Sequence, residues 1–450
     1  MDCLFSSRDI SYYIISLGCS KNQVDSERLN GALGGAGYVP APDSEQADII
    51  IINTCGFITA AKQESIEVIF DAIGQQRKAR ENLKPYLDAG KPVLKDFGRR
   101  VAVAGCLSQR YPCELASDIP EIDYLHGLTD GFVAGMGRKL GISSRPAPVS
   151  REPLLPGLAY SYIKIAEGCS NNCSYCAIPL IRGPHASYPP GLILEEARRE
   201  VARGAKELVV VAQDIAAYRS GGTGLAELAG LLTGIEGVEW VRLMYCHPDH
   251  LDDGIIGALE RGGRVVPYID IPLQHASGRI LASMGRKGDA EQYLSLVAKL
   301  RARVPRIRIR STFMVGYPGE TDDDFTELEG FVREARLDRV GAFTYSPEEG
   351  TRACELGDTV PDRVKRKRYD RLMAVQRDIS ADLLSAMTGD TVRVLVEERI
   401  DDGTWAGRTE YDAPEVDGIF YLTGRGVTVN SIVTARVTGA AEYDLQGELE

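Results

Sequence analysis

The regular alternation of strand-like and helix-like segments is the sequence feature that most constrains the fold. In residues 1–140, three runs of β-forming residues each lead into a loop with a cysteine, and helical stretches separate them. The expected strands are Tyr12–Ser16, Asp48–Ile52 and Arg100–Ala104, and the expected helices are Asp25–Gly34 and Ala60–Ile73. Such alternation is typical of βαβ units. We therefore predict an N-terminal α/β domain with a parallel sheet over residues 1–140.

A second and longer series of strand–helix units follows a linker. Residues 141–157, GISSRPAPVSREPLLPG, are rich in Pro, Ser and Gly, which predicts an interdomain linker. The expected strands beyond it are Ser161–Ala166, Glu207–Ala212, Trp240–Tyr245, Tyr268–Pro272, Ile307–Val315 and Arg339–Tyr345. Helical patterns lie between them. A closed barrel of this kind has eight units, so we predict a partial (β/α)6 barrel within a domain of residues 158–388 that ends in a helical stretch.

The last part of the chain, residues 389–450, changes character. The segments VRVLVEE, GIFYLTG and SIVTARVTG alternate apolar and polar residues, with Gly and Asp turns between them. This pattern predicts a small antiparallel β-barrel. The fold class expected for the whole chain is therefore α/β, with three domains.

Composition excludes several classes of protein. The 450 residues carry a net charge of −12, which argues against a nucleic-acid binder held by bulk positive charge. No apolar run reaches the roughly 18 residues of a membrane span. The N-terminus lacks a basic segment followed by an apolar core, so we expect no signal peptide and a cytoplasmic location.

Three closely spaced cysteines in the middle of the chain predict a metal centre. Cys169, Cys173 and Cys176 have the spacing CxxxCxxC directly after the first strand of the second domain. Thiolates are the preferred ligands of iron–sulfur clusters, and three of them leave one iron of a four-iron cluster open. A zinc site and an incidental group of cysteines are the alternatives. Zinc usually takes four ligands, and His185 is the nearest candidate for the fourth.

Three other cysteines occupy equivalent positions in the first domain. Cys19, Cys55 and Cys106 are far apart in sequence, but each follows a predicted strand. The carboxyl ends of parallel strands lie along one edge of a sheet, where such folds bind ligands. The three thiols could share a metal, although a buried structural cysteine is the ordinary interpretation of any one of them.

The central cysteine motif resembles that of the radical S-adenosylmethionine superfamily, including the aromatic Tyr175 before its last cysteine. The resemblance implies that the open iron binds S-adenosylmethionine, whose cleavage yields a 5′-deoxyadenosyl radical. The segment Gly204-Ala-Lys-Glu207 weakly matches the family's GGE-like segment, and two further segments end barrel strands, where such sites are built. Each of these segments could also be a simple turn. The cofactor-binding residues expected on these grounds are Tyr175, Gly204, Glu207, Gln274, Ser277, Gly316 and Glu320.

The chain as a whole resembles the methylthiotransferases. SLGCSKNQVDSERLNG, INTCGFITAAKQESIEVI and VAGCLSQRYPCEL are similar to that family's N-terminal domain, and the family adds a radical S-adenosylmethionine barrel and a small TRAM-type β-barrel in this order. The resemblance implies that Cys19, Cys55 and Cys106 hold a second [4Fe–4S] cluster. It gives no role to the remaining cysteines, which are Cys3, Cys113, Cys246 and Cys354. Residues 77–98 are longer than in most of the family, and we expect a surface insertion there.

The expected substrate is a protein. YIDIPLQHASGRIL and FTYSPEEGTRACEL are closer to the subgroup that modifies the β-carbon of an aspartate in small-subunit ribosomal protein twelve. Residues 389–450 contain 13 acidic residues, five arginines and no lysine. An acidic domain suits a basic ribosomal protein, free or in the ribosomal subunit, and argues against transfer RNA, although acidity can serve solubility alone.

The family's chemistry sets the remaining expectations. The radical would take hydrogen from the aspartate β-carbon, which would then receive a methylated sulfur from the second cluster. A second S-adenosylmethionine would supply the methyl group, and an external donor would supply the electron. We expect no catalytic residue beyond the cluster ligands. Two alternatives stay open: a transfer-RNA adenosine methylthiotransferase, which has another substrate, and a non-catalytic iron–sulfur carrier, which would need no S-adenosylmethionine.

Overall fold

The structure is a computed structural model that describes residues 5–6, 10–88, 99–143 and 150–450. The chain divides into two compact units. Residues 1–156 together with 177–183 form the first, and residues 157–176 together with 184–450 form the second. The second unit contains both the six-stranded sheet and the terminal barrel. Cys3 lies outside the described residues.

The first unit is built on a five-stranded parallel sheet with the strand order β3-β2-β4-β5-β6. Its strands are β1 Phe5–Ser6, β2 Ser11–Ser16, β3 Val39–Pro40, β4 Ile49–Thr54, β5 Arg100–Gly105, β6 Tyr124–Leu125 and β7 Ile142–Ser143, of which β1 and β7 pair separately. Its helices are α1 Ser20–Ala36, α2 Thr59–Asp88, α3 Cys106–Arg110, α4 Pro112–Asp118 and α5 Phe132–Leu140. The predicted parallel-sheet domain is confirmed, and its three predicted strands are found within two residues of their ends.

A run of four isoleucines shows why β4 lies at the centre of this sheet. All four side chains are buried, with Ile49 and Ile51 packed against the face that carries α1 and α5. Ile50 and Ile52 pack against the opposite face, beside α2. Successive residues of a strand point to opposite faces, so a continuous apolar run is what a strand covered on both sides requires.

Two segments of the first unit differ from the expected pattern. Helix α2 continues through the predicted insertion as far as Asp88, and residues 89–98 lie outside the described part of the chain. The described end of the predicted linker packs on α1: Arg151 is buried and forms an ion pair with Glu27 at 2.5 Å. The backbone N–H of Glu152 also donates to the carbonyl of Glu27 at 3.0 Å. A buried charge needs a partner, and this pairing holds the described part of the linker in place.

The second unit contains the predicted partial barrel, an open sheet of six parallel strands in the order β17-β16-β15-β14-β11-β8. These strands are β8 Tyr160–Lys164, β11 Glu207–Val211, β14 Trp240–Leu243, β15 Val265–Asp270, β16 Arg308–Val315 and β17 Arg339–Thr344. Short pairs outside the sheet are β9 Ala166–Glu167 with β10 Ala186–Ser187, and β12 Arg219–Ser220 with β13 Thr223–Gly224. The expected six-unit architecture is confirmed.

Helices cover the six-stranded sheet and close its apolar core. In chain order they are α7 Pro190–Ala202, α8 Leu225–Thr233, α9 Asp253–Arg261, α10 Gly278–Ser283, α11 Ala290–Arg303, α12 Asp322–Ala335, α13 Arg352–Glu355 and α14 Asp362–Ser385; α6, Ile178–Arg182, belongs to the first unit. Leu228 of α8 and Phe325 of α12 are among the residues that bury strand side chains such as Val210 and Phe313. Among the described residues, no helix combines the length and apolar character needed to cross a membrane.

The chain ends in a closed five-stranded barrel, which confirms the predicted small β-barrel. Its strands are β18 Thr391–Arg399, β19 Thr404–Thr409, β20 Phe420–Thr423, β21 Ile432–Ala440 and β22 Leu445–Leu449. The pairing is antiparallel except for β20 with β22, which run parallel. Val394, Phe420 and Val437 are among the residues that fill its interior.

Ion pairs join this terminal barrel to the six-stranded sheet within the second unit. Arg408 pairs with Glu207 at 2.7 Å, Asp412 with Arg339 at 2.5 Å, and Asp417 with Arg310 at 2.6 Å. Part of the barrel's acidity is therefore neutralised by arginines of the sheet.

Candidate functional site

Cys19, Cys55 and Cys106 lie at the carboxyl ends of three adjacent strands, as predicted. Cys19 precedes the first residue of α1, Cys55 directly follows β4, and Cys106 begins α3. Gly18 has φ +89°, and a Cβ built on it would lie 2.9 Å from the Cys55 Sγ. A residue with a side chain would not fit there. The loop that carries Cys19 therefore lies directly against Cys55.

The three thiols are close enough to influence each other's charge. Burial, together with the charges of Cys19 and Cys106, raises the pKa of Cys55 to about 11. Burial also raises the pKa of Cys106, although Arg182 opposes the rise. Thiolates gathered in this way repel each other and require a neutralising cation. The donor set therefore fits a soft metal centre, since three sulfur ligands favour iron–sulfur clusters or zinc.

Arg182 also belongs to the site of Cys19, Cys55 and Cys106, and the sequence analysis missed it. Its side chain is only 1% exposed, and both Nε and Nη2 donate to the Cys106 Sγ, at 3.3 and 3.2 Å. On its other side it donates to Asp25 at 2.9 Å and to the Asn22 side-chain oxygen at 3.1 Å. The available signal was a single arginine at the end of the otherwise apolar run IPLIR.

Cys169, Cys173 and Cys176 form the second predicted group, in the loop after β8 and β9. Cys169 is buried, and the other two are partly exposed. The backbone N–H of Asn171 donates to the Cys169 Sγ at 3.4 Å, and the N–H of Ser174 donates to the Met284 carbonyl at 2.8 Å. His185, the nearest candidate for a fourth zinc ligand, lies 3.0 Å through Nε2 from the Ser187 hydroxyl. Three sulfur donors fit a cluster with one open iron.

Arg286 places a positive charge beside this second group. Its Nη1 lies 3.8 Å from the Cys173 Sγ and 3.5 Å from the Tyr175 hydroxyl, while Nη2 donates to the Pro272 carbonyl at 2.7 Å. Burial raises the pKa of Tyr175 well above its usual value, so this side chain stays neutral. The structure therefore brings predicted Tyr175 together with the cysteines, and it adds an arginine that the sequence motif does not contain.

Asp214, just beyond the carboxyl end of β11, links the cysteine loop to the neighbouring strand loops. Its carboxylate accepts hydrogen bonds from Asn171 Nδ2 at 2.9 Å, His250 Nδ1 at 2.6 Å, the His247 N–H at 3.2 Å and the Ala216 N–H at 3.1 Å. The ligand atoms of Asp214, His247 and His250 lie within 4.8 Å of one another, a geometry that can hold a metal ion. Because four donors already fill the carboxylate's lone pairs, we interpret Asp214 as a structural hub.

Several buried polar atoms near the strand ends have no hydrogen-bond partner in the protein. Among the described residues they include His247 Nε2, Gln274 Oε1 and Arg286 Nε. Such atoms are costly unless a ligand or water satisfies them. His247 Nδ1 accepts the Asp249 N–H at 3.3 Å, which leaves Nε2 as a donor. A polar cofactor with carboxylate, amino and hydroxyl groups, such as S-adenosylmethionine, fits this set of atoms, and predicted Gln274 belongs to it.

Three other predicted residues lie in loops at the same strand ends, where they contact other residues of the protein. Ser277 donates to Asp324 at 2.7 Å and precedes α10. Gly316 has φ +75° and packs so closely on Lys365 that a Cβ would lie 2.3 Å from its Cγ. Glu320 accepts hydrogen bonds from the backbone of Gly316 and from Arg368, the latter at 2.9 Å. These residues therefore hold the loop after β16 in place.

The structure does not bring Gly204 and Glu207 together with the cysteines. Both lie at the amino end of β11, whereas the cysteine loop follows the carboxyl end of its neighbour β8. The Glu207 carboxylate is fully buried and is bonded to Arg242 at 2.6 Å and Arg408 at 2.7 Å. The interpretation of these two residues as cofactor ligands is therefore corrected: Glu207 anchors the terminal barrel.

The cysteines outside the two groups show no ligand geometry in the described chain. Cys246 is buried in the core of the second unit, Cys113 is exposed and Cys354 is partly exposed.

Comparison with known proteins agrees with this arrangement. The profile of the radical SAM superfamily matches residues 163–332, that of UPF0004, described as an uncharacterized protein family, matches residues 11–127, and that of the TRAM domain matches residues 388–449. A solved structure of the radical S-adenosylmethionine methyltransferase TsrM from Kitasatospora setae, with tryptophan and a SAM analogue, has a TM-score of 0.52 at 13% identity and covers 90% of this chain and 80% of that one. This likeness shows the fold.

Curated relatives extend the similarity to nearly the full length. The ribosomal protein uS12 methylthiotransferase RimO of Desulforudis audaxviator is 43% identical over 451 residues, which is 97% of this chain and 96% of the relative. The protein of the same name from Heliobacterium modesticaldum is 41% identical over 450 residues, with 97% and 94% covered.

The fold and the central cysteine site thus define a radical SAM enzyme, a transferase of the methylthiotransferase type. Within that class, the chain belongs to the RimO family of ribosomal protein uS12 methylthiotransferases.

Proposed function

We propose that this enzyme attaches a methylthio group to the β-carbon of an aspartate in ribosomal protein uS12. The observation that carries the proposal is the presence of two separate groups of three cysteines, each in loops at the carboxyl ends of parallel strands. Buried polar atoms of His247, Gln274 and Arg286 have no hydrogen-bond partner in the protein, so they are suited to bind a polar ligand. A carrier or electron-transfer protein would not need such atoms. The names of the relatives supply the substrate.

The cofactors in this proposal are two [4Fe–4S] clusters and S-adenosylmethionine. Cys169, Cys173 and Cys176 would hold one cluster, and Cys19, Cys55 and Cys106 the other. When bound, these groups supply one-electron chemistry at an unactivated C–H bond and a sulfur atom for transfer. No ordinary base removes a proton from such a carbon, so no further catalytic side chain is required.

The side chains of this protein position and shield the bound groups. Cys169 and Cys106 are buried, so each cysteine group contains one thiol that is shielded from solvent. Asp214 fixes the loop that carries Cys169, Cys173 and Cys176 through Asn171, and Arg286 stabilises negative charge at Cys173. Exclusion of water protects reactive species from side reactions.

The charge of the terminal barrel supports a basic protein as the partner. Its acids Glu398, Glu442 and Glu448 are exposed, and they favour a basic ribosomal protein over the phosphates of transfer RNA. In the basic run 363–368, Lys365 is buried against Asp358 at 2.5 Å and Arg368 against Glu320 at 2.9 Å, which leaves Arg363, Arg366 and Lys367 as its exposed cations. The electron donor would be external, and the site of action the cytoplasm, with free uS12 or the assembled subunit as substrate.

Mass spectrometry of uS12 tests the proposal. uS12 from cells that contain the gene should carry a mass increment equal to replacement of H by SCH₃, and uS12 from cells without it should not. A strain with the Cys55→Ala variant is the matched control: it should lack the increment while the purified variant still forms 5′-deoxyadenosine after anaerobic reconstitution. Methylthiolated transfer-RNA adenosine would instead establish the alternative substrate, and a protein that forms no 5′-deoxyadenosine would be a carrier.

A further inference from the structure

Arg182 occupies an unusual position for a buried arginine in the first unit. Its guanidinium lies between a thiol and a carboxylate, with the Cys106 Sγ at 3.2 and 3.3 Å on one side and the Asp25 Oδ2 at 2.9 Å on the other. An arginine that served only to satisfy Asp25 would not need to direct two further N–H groups at a sulfur atom. Hydrogen bonds from charged donors are the strong ones, so this contact acts mainly on the thiolate form of Cys106.

The surroundings of Arg182 fix its orientation. Asn22 accepts a fourth hydrogen bond from Arg182, at 3.1 Å, and itself donates to the carbonyl of Leu17 at 2.7 Å in the loop that carries Cys19. Ala177 and Ile181 of the same short segment are buried beside Cys106. The guanidinium is thus held by packing and by polar partners from α1, and it has no freedom to turn toward solvent.

We propose that Arg182 is the positioning residue of the second cluster site: it holds Cys106 in place and sets the charge, and therefore the reduction potential, of the cluster bound there. The inference rests on the proposed second cluster. Cluster potentials depend on net charge, on hydrogen bonds to the sulfurs and on exposure to solvent. Arg182 supplies a positive charge and hydrogen bonds to a sulfur atom, and because it is buried it limits exposure of the site to solvent.

The sign of the effect follows from the charges. Loss of the guanidinium removes a positive charge and two N–H···S hydrogen bonds, which disfavours the more negative, reduced cluster. Arg182→Gln therefore lowers the midpoint potential. Asp25→Asn removes a negative charge from the same network and raises it. Arg182→Lys keeps the charge with fewer hydrogen bonds, so its shift is smaller than that of Arg182→Gln.

The test uses the full-length chain in which Cys169, Cys173 and Cys176 are all replaced by Ala, so that only the second site binds a cluster. Iron and sulfide per chain, the electron paramagnetic resonance spectrum of the reduced cluster and its midpoint potential are measured after anaerobic reconstitution. Arg151→Gln is the matched control, because Arg151 is another buried arginine of this unit, paired with Glu27 at 2.5 Å.

The outcomes separate the inference from the proposed function. Failure of the triple-alanine chain to bind iron overturns both. Two results support the inference, provided that the triple-alanine parent binds iron. The first is a lower midpoint potential in Arg182→Gln than in Arg151→Gln. The second is loss of iron in Arg182→Gln but not in Arg151→Gln. Unchanged potential, spectrum and iron content in Arg182→Gln overturn the inference and leave the proposed function intact. If both arginine variants fail to fold, the potential of Asp25→Asn decides: a rise supports the role, and no shift refutes it.

Discussion

Glu207 and Arg408 stand 201 residues apart in the sequence and meet as a buried ion pair, with 2.7 Å between Oε2 and Nη2. Arg242 binds the other oxygen of the same carboxylate. We expect Glu207→Gln to lower the free energy of unfolding by about 3–5 kcal/mol, because it removes the carboxylate that pairs with the buried Arg242 and one of the two carboxylates that pair with Arg408, which keeps Glu397. Urea unfolding measures the loss. Glu239→Gln, which breaks the exposed pair with Arg393, should cost less than about 1 kcal/mol.

The Glu207 variant also discriminates between two roles. A residue that bound the amino group of S-adenosylmethionine would change the affinity for that cofactor without a large loss of stability. Equilibrium binding of S-adenosylmethionine to the folded variant should match that of the parent chain, and a weakened affinity at unchanged stability would restore the interpretation made from sequence.

Gly18 provides a test of the convergence of Cys19 and Cys55. We expect Gly18→Ala to reduce bound iron from about eight to about four atoms per chain, since only one four-iron site remains. The added Cβ would lie 2.8 Å from the Cys55 Cβ at a backbone angle of φ +89°, which alanine adopts poorly. Gly34→Ala in α1 has open space around the new Cβ and should retain full iron. Equal iron in both variants would contradict the inferred packing.

Asp214 should control the loop of the central cysteine group. Asp214→Asn replaces one acceptor oxygen by an N–H donor that faces the N–H group of Asn171 or His250. A hydrogen bond to a charged group is worth about 1.5–3 kcal/mol. We therefore expect the rate of 5′-deoxyadenosine formation to fall by roughly 10- to 100-fold. Asp252→Asn removes a carboxylate that caps α9 through Ile255 and should leave this rate nearly unchanged. A normal rate in Asp214→Asn would show that the hub is dispensable.

His275 should make stability depend on pH. Burial lowers its pKa from 6.5 to about 4. Between these two pH values the imidazole is protonated in the unfolded chain and neutral in the folded chain. The stabilisation present above pH 6.5 is lost as the pH falls toward 4, by about 2 kcal/mol between pH 7 and pH 5. His275→Asn keeps an acceptor for the Ser277 N–H, which now donates to Nδ1 at 2.9 Å. Urea unfolding at both pH values should show a shallower pH dependence in this variant.

The sequence predicted what depends on local pattern. Strand runs such as Ile49–Ile52 and the position of each cysteine after a strand follow from periodicity, and parallel topology then brings Cys19, Cys55 and Cys106 to one edge. It missed partners chosen by tertiary packing: Arg182 reaches Cys106 across 76 residues, and no periodic signal marks that contact. Glu207 was misinterpreted for a different reason: the sequence placed it correctly at the start of a strand, but the resemblance to a family motif was given more weight than the rule that sites lie at the carboxyl ends of parallel strands.

The placement of residues 177–183 in the first unit has a consequence for dissecting the enzyme. The chain passes between the two units three times, after residues 156, 176 and 183, so neither unit is a continuous piece of polypeptide. A fragment that began at residue 157 would carry Ile181 and Arg182 away from Cys106 and Asp25 and leave an apolar side chain and a charged one exposed. Genetic excision of either half therefore damages the other, and each group of three cysteines has to be studied by point substitution in the intact chain.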